Sequence, residues 1–180
     1  MKRKALALSP VIVPQALWTA ARASRLPEAA GDRAGVRGTG QRKSLLILGD
    51  SSAAGVGVTH QSDALAGHLA TELARAFTIH WRLVARSGET VKRARRAVAS
   101  LPSEETDFVL IALGVNDVKN GVSARNWAGG YASLLEEIAA KFGPGIICVS
   151  GVPHLRDFPI LPRPLNAVLG DRSKLFDTLL

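Results

Sequence analysis

The sequence predicts a three-layer α/β sandwich built on a parallel sheet. Three observations carry this. Short apolar runs alternate with segments of helical periodicity. The runs are continuous rather than alternating, the pattern of strands covered on both faces. Each run ends at glycine beside polar residues, the usual close of a strand in a β-α unit.

From Ser44 the elements follow in order. Leu45-Leu46-Ile47-Leu48 is the first strand and stops at Gly49-Asp50-Ser51-Ser52. Ala64, Leu65, His68, Leu69 and Leu73 recur at helical spacing, predicting a helix that ends near Phe77. Residues 79–85, with Trp81, Leu83 and Val84, form the second strand. Thr90 is placed to cap a helix with apolar positions Val91, Ala94, Val98 and Leu101. Asp107 to Leu113 is the third strand, broken by Gly114-Val115-Asn116-Asp117. Trp127, Tyr131, Leu134, Leu135, Ile138 and Phe142 share one helix face, and Gly143-Pro144-Gly145 stops that helix. Ile146 to Val149 is the fourth strand, read as buried together with Cys148, and a last helix covers Pro164 to Leu180. No internal repeat interrupts this order.

Composition narrows the function classes. The 180 residues suffice for one domain, and 47% hydrophobic with 21% charged residues is globular. A single cysteine excludes a disulfide framework and a cysteine-based zinc site. The net charge of +8 is unevenly placed: residues 1–43 carry nine basic and two acidic groups, residues 44–180 fourteen and thirteen. The body is nearly neutral, so nucleic acid is not an expected partner.

Residues 1–43 read as a basic leader and linker, and residues 44–180 as the domain. Lys2-Arg3-Lys4, an apolar stretch from Ala5 to Ala21, and Ala21-Arg22-Ala23 have the order of a signal peptide. Pro10, Pro14 and Gln15 interrupt the apolar stretch. The alternative is an amphipathic leader that lies on a membrane or packs on the domain. Cytoplasmic localisation is favoured, with export or membrane contact through residues 1–23 as the alternative.

Ligands of open α/β sheets bind beyond the carboxyl ends of the strands. Three strand ends there pair glycine with polar residues: Gly49-Asp50-Ser51-Ser52, Arg86-Ser87-Gly88-Glu89 and Gly114-Val115-Asn116-Asp117. A serine, a free glycine amide and an asparagine amide on one edge suit acyl transfer, with the amides holding a developing oxyanion. Other motifs fail. There is no G-x-S-x-G. Gly38 to Ser44 imitates a phosphate loop but precedes the first strand, and no histidine pair has metal spacing.

Leu48-Gly49-Asp50-Ser51-Ser52-Ala53-Ala54-Gly55-Val56-Gly57 resembles the first block of the SGNH (GDSL) hydrolase superfamily. Ala85-Arg86-Ser87-Gly88 with Thr90 resembles its second block, and Leu113-Gly114-Val115-Asn116-Asp117 its third, G-x-N-D. The resemblance covers residues 44 to about 175. It implies a flavodoxin-like fold, with four of the usual five strands present, and hydrolysis of esters, thioesters or acetylated sugars. Ser51 is then the nucleophile, while Gly88 and Asn116 serve the oxyanion. No metal or organic cofactor is implied, and the expected partner is a small-molecule ester.

The family's fourth signature, a C-terminal D-x-x-H, has no counterpart here. The residues three before His60, His68, His80 and His154 are Gly57, Leu65, Phe77 and Gly151, none acidic. The expectation is a C-terminally truncated domain with impaired hydrolysis, or a non-catalytic acyl-binding scaffold. Asp50 reads as structural, bonding loop amides. His154 follows the fourth strand and is the one histidine placed to approach the active edge. Lys92, Arg93, Arg95 and Arg96 read as the solvated face of a helix.

Overall fold

A computed structural model describes residues 9–22 and 26–180. Lys2, Arg3, Lys4 and Ala23, which entered the leader's signal-like order, lie outside the described residues. The described chain forms helix α1 (Ser9–Arg22), strands β1 (Ala34–Arg37) and β2 (Gln41–Gly49), helix α2 (Leu65–Leu73) and strand β3 (Phe77–Ala85). Helix α3 (Val91–Ser100), strand β4 (Phe108–Ala112) and the short helix α4 (Val115–Lys119) follow. Helix α5 (Ala124–Phe142), strand β5 (Ile146–Val149) and helix α6 (Leu165–Thr178) complete it.

The sheet order is β1-β3-β2-β4-β5. β3, β2, β4 and β5 run parallel, and β1 pairs antiparallel with β3. These are the four parallel strands the sequence predicts, flanked by helices on both faces. The period of two along β2 divides the core. Leu46 and Leu48 pack with α3, α5 and Phe176 of α6. Leu45 and Ile47 pack with α2 and the other face of β3. All four are almost wholly buried, which is why the run shows no polar alternation. Burial of each such side chain contributes about 1.5–3 kcal/mol.

Five expectations are corrected. The first strand begins at Gln41 rather than Leu45, and residues 34–37, read as linker, form β1 against Ile79 to Arg82. An exposed four-residue edge strand has no buried face to create a pattern. The helix expected to reach Phe77 ends at Leu73, because Arg75 and Ala76 turn back onto the carbonyls of Glu72 and Leu73. The break after the third strand includes a single helical turn, α4. Cys148 is exposed, not buried. β5 is an edge strand, and its outward positions Ile146 and Cys148 have no helix over them.

Other positions stand as read. Thr90 caps α3, accepting from Arg93 N at 3.4 Å. Trp127, Tyr131, Leu134, Ile138 and Phe142 are buried on one face of α5, and Trp127 stacks on Phe176 at 4.5 Å. Arg95 leaves the solvated face to grip Glu137 of α5 at 2.5 Å, whereas Lys92, Arg93 and Arg96 are exposed. In α1, Gln15 faces the body. Its amide donates to Arg163 O at 2.6 Å and accepts from Leu165 N at 3.2 Å. Among the described residues no helix is long and apolar enough to cross a membrane.

Candidate active site

Pairing register sets the site. Gly49 lies opposite Ala85 of β3 and Ala112 of β4, so three parallel strands end level. Ser51, Gly88 and Asn116 follow these ends by two, three and four residues. A Cβ at Gly49 would lie 2.4 Å from Ala53 Cβ and 3.1 Å from Ala112 O. Glycine is what lets the serine turn fold back over the strand ends. The turn is closed by Ala54 N to Asp50 O at 2.9 Å and Val56 N to Ser51 O at 3.0 Å. Ser51 is half-buried at its mouth.

Asp50 is structural, as its sequence context suggests. Its Oδ1 accepts from Ser52 N at 3.0 Å and from Ser52 Oγ at 2.9 Å. Asn116 joins the three loops. Its Nδ2 donates to Glu89 O at 2.9 Å and makes a longer contact of 3.4 Å with Asp50 Oδ2. The longer contact is the weaker, and it leaves that N–H available to a better acceptor.

Gly88 sits in a tight turn closed by Glu89 N to Arg86 O at 3.0 Å. It is the third residue of that turn, with φ +80°, which suits a type II turn and requires glycine. Nothing lies within 4 Å of where its Cβ would be, so the glycine faces open space at the rim.

The site is only partly charge-compensated: Arg86 pairs with Glu89 at 3.4 Å, and among the described residues Asp50 and Asp117 have no ion pair. Asp50, Glu89 and Asp117 are all buried within this edge. Burial pushes the Asp117 carboxyl up, and the charges of Asp50 and Glu89 push it further. Its bond from Val91 N, 3.1 Å, holds the start of α3 and opposes the rise. Burial also pushes the Tyr131 phenol up, helped by Asp117.

Sequence reasoning missed one contributor. Glu28, in the segment read as linker, accepts from Ser87 N at 2.6 Å and pairs with Arg33 at 2.5 Å. Next to it, Ala29 N donates to Ala54 O at 3.2 Å. Nothing local marks Glu28, since its partner is 59 residues away. His154 is exposed in the loop after β5 and has no recorded side-chain bond. His60 and His68 are exposed, and His80 lies in β3. A cavity of about 810 Å³ lies at the opposite, amino-terminal edge of the sheet, lined by Ser44, Trp81, Leu101 and Asp107. None of Ser51, Gly88 and Asn116 lines it.

A strand-end serine, an exposed glycine amide and a buried asparagine amide on one parallel sheet define the class of SGNH-type serine hydrolases. The GDSL-like Lipase/Acylhydrolase family profile matches residues 47–180, and the chain belongs to that family. It is by family a serine hydrolase acting on ester bonds. Solved structures share the fold. TesA matches at 22% identity and TM-score 0.57, covering 76% of this chain and 74% of that one. The psychrotrophic esterase EstA from Pseudoalteromonas sp. matches at 24% identity and TM-score 0.55, covering 76% and 69%. Phospholipase A1 from Streptomyces albidoflavus NA297 matches at 18% identity and TM-score 0.56, covering 76% and 73%. No curated relative matches the chain in sequence.

Proposed function

We propose that this chain is a carboxylic-ester hydrolase whose nucleophile is Ser51, with Gly88 and Asn116 as oxyanion donors. The observation that carries the reading is the Asn116 amide, which bridges the serine turn at Asp50 and the glycine turn at Glu89. Ser51 Oγ attacks the ester carbonyl, and its proton passes through solvent water to the departing alkoxide. The carbonyl oxygen gains charge and is met by the Gly88 N–H, the Ser51 N–H and the Asn116 Nδ2. The intermediate collapses, the alcohol leaves with a proton, and water then releases the acyl group. The structural neighbours include an esterase and a phospholipase A1, which supports an ester substrate.

Within these 180 residues no histidine follows an acidic residue at the D-x-x-H spacing. A serine hydroxyl is a weak nucleophile until a base takes its proton, and that help is worth about 10²–10⁴-fold. The 180-residue polypeptide therefore hydrolyses esters slowly, by oxyanion stabilisation and positioning. The second reading, a non-catalytic acyl-binding protein, is favoured by that same missing pair. A fluorophosphonate probe together with p-nitrophenyl acetate turnover separates them. The hydrolase reading expects label on Ser51 and turnover lost in Ser51→Ala. Identical turnover and labelling in Ser51→Ala would sink it.

A further inference from the structure

We propose that Glu28 is a positioning residue of this site, anchoring the Gly88 turn beside the serine turn so that its N–H can meet the oxyanion. The proposal rests on the hydrolase reading of the same edge.

Gly88 has φ +80° and open space around it, so packing does not fix its conformation. A turn closed by an i to i+3 bond can flip its central peptide, here the one between Ser87 and Gly88. The flip reverses the direction of the Gly88 N–H. The closing bond, Glu89 N to Arg86 O, is compatible with both forms. The type II form itself is carried by glycine at φ +80°, and the turn's place beside the nucleophile is fixed from outside it.

Two bonds reach it. Arg86 N donates to Gly49 O at 3.2 Å and ties the start of the turn to β2. Ser87 N donates to Glu28 Oε1 at 2.6 Å, immediately before the peptide that would flip. The carboxylate is itself fixed. Arg33 holds its other oxygen at 2.5 Å and donates through Nη1 to Ala85 O at 2.6 Å. Arg33 thus spans from the acid to the last residue of β3. A charge-assisted bond of this length is about twice as strong as a neutral one.

The same segment reaches the nucleophile's turn. Gln61 is buried, and its Nε2 donates to Ala29 O at 3.1 Å and to Ala54 O at 3.0 Å. A Cβ at Gly55 would come within 2.6 Å of Ala29 Cβ, so the two backbones meet closely. Residues 28–30 therefore hold the serine turn and the glycine turn at a fixed separation. The Ser87 bond and Arg33 keep the Glu28 carboxyl below its usual range. An acid so held is a poor base, so its role is geometric.

The experiment compares the full chain with Glu28→Ala and Glu28→Gln. Gln keeps an oxygen acceptor for Ser87 N, and Ala does not. Two readouts are taken: amide hydrogen exchange at Ser87, and the rate at which a fluorophosphonate labels Ser51. Glu28→Ala should expose the Ser87 amide to exchange and slow labelling roughly 10–100-fold, with the melting transition still cooperative. Glu28→Gln should recover most of both. Protection and labelling unchanged in Glu28→Ala would overturn the proposal, as would Glu28→Gln behaving like Glu28→Ala in exchange. If the wild-type chain takes no label on Ser51, the hydrolase reading fails, and exchange alone decides whether Glu28 holds the turn.

Discussion

The two ends of the parallel sheet each carry an aspartate that ties separate segments together, strands β2 and β4 at one end and helices α3 and α4 at the other, and they use it differently. At the amino-terminal end, Asp107 precedes β4. It accepts from Ser44 N at 2.8 Å, Ser44 Oγ at 2.9 Å and Lys43 Nζ at 2.7 Å. Lys43 and Ser44 hold its carboxyl down at about 2. At the carboxyl end, Asp117 is buried beside Asp50 and Glu89 without a facing cation, and its carboxyl is pushed up. The first arrangement satisfies its charge and fastens the sheet. The second accepts unfavourable electrostatics to keep donors and acids crowded where the strands end. Perturbed groups of this kind mark functional edges.

The largest expected effect lies at the carboxyl end. Asn116→Ala removes a proposed oxyanion donor, so kcat for p-nitrophenyl acetate should fall by roughly 10² or more. Wild-type turnover in that variant would end its assigned role. The matching change at the other end, Asp107→Ala, should leave turnover intact and cost about 1–3 kcal/mol, because it orphans the Ser44 and Lys43 donors. Urea unfolding measures this, and a loss of turnover at unchanged stability would reverse the contrast.

A smaller effect comes from neutralising the crowded acid. Asp117→Asn keeps an oxygen for Val91 N and removes a buried like charge. Its melting temperature should hold or rise, where Asp107→Asn falls. A large drop in Asp117→Asn would show that its charge stabilises the fold.

The pH dependence separates the two ends further. Asp107 is depressed from 3.8 to about 2, so its contribution is present above about 3.8 and is lost as pH falls towards about 2. Asp117 is raised, so its ionised form costs stability at neutral pH, and that cost is relieved as pH falls towards its ordinary 3.8. The stability gap between wild type and Asp107→Asn should close between about pH 3.8 and about 2. The gap to Asp117→Asn should narrow earlier, on the way down to 3.8. Parallel pH curves for all three proteins would contradict both assignments.

These contrasts were unevenly legible in the sequence. The run Leu45 to Leu48 announced a doubly covered strand because burial on both faces leaves an unbroken apolar stretch. The loops that carry Ser51, Gly88 and Asn116 were legible because a strand end is punctuated by glycine or polar residues, while the roles proposed for the three residues came from the resemblance of those loops to the family's blocks. β1 was invisible, since an exposed antiparallel edge imposes no periodicity on four residues. Cys148 was misread because an apolar run does not show which of an edge strand's positions lie uncovered. Glu28 was missed because the bond that gives it meaning depends on tertiary placement across 59 residues.

The antiparallel strand β1 also sets an order of events during synthesis. Ala34 to Arg37 pair with Arg82 to Ile79, so their partners are made some 42–48 residues later. At about 5–20 residues per second this is a delay of about 2–10 s. During it the N-terminal strand has no neighbour, and β2 must wait for the same β3. Only when β3 leaves the ribosome does the sheet gain its first pairs, bringing the segment around Glu28 beside the Ser87 turn. The earliest residues of the site thus wait for a partner made 59 residues later. A pause in translation before residue 77 would prolong the exposure of β1 and β2, while a pause after residue 85 would give them time to dock.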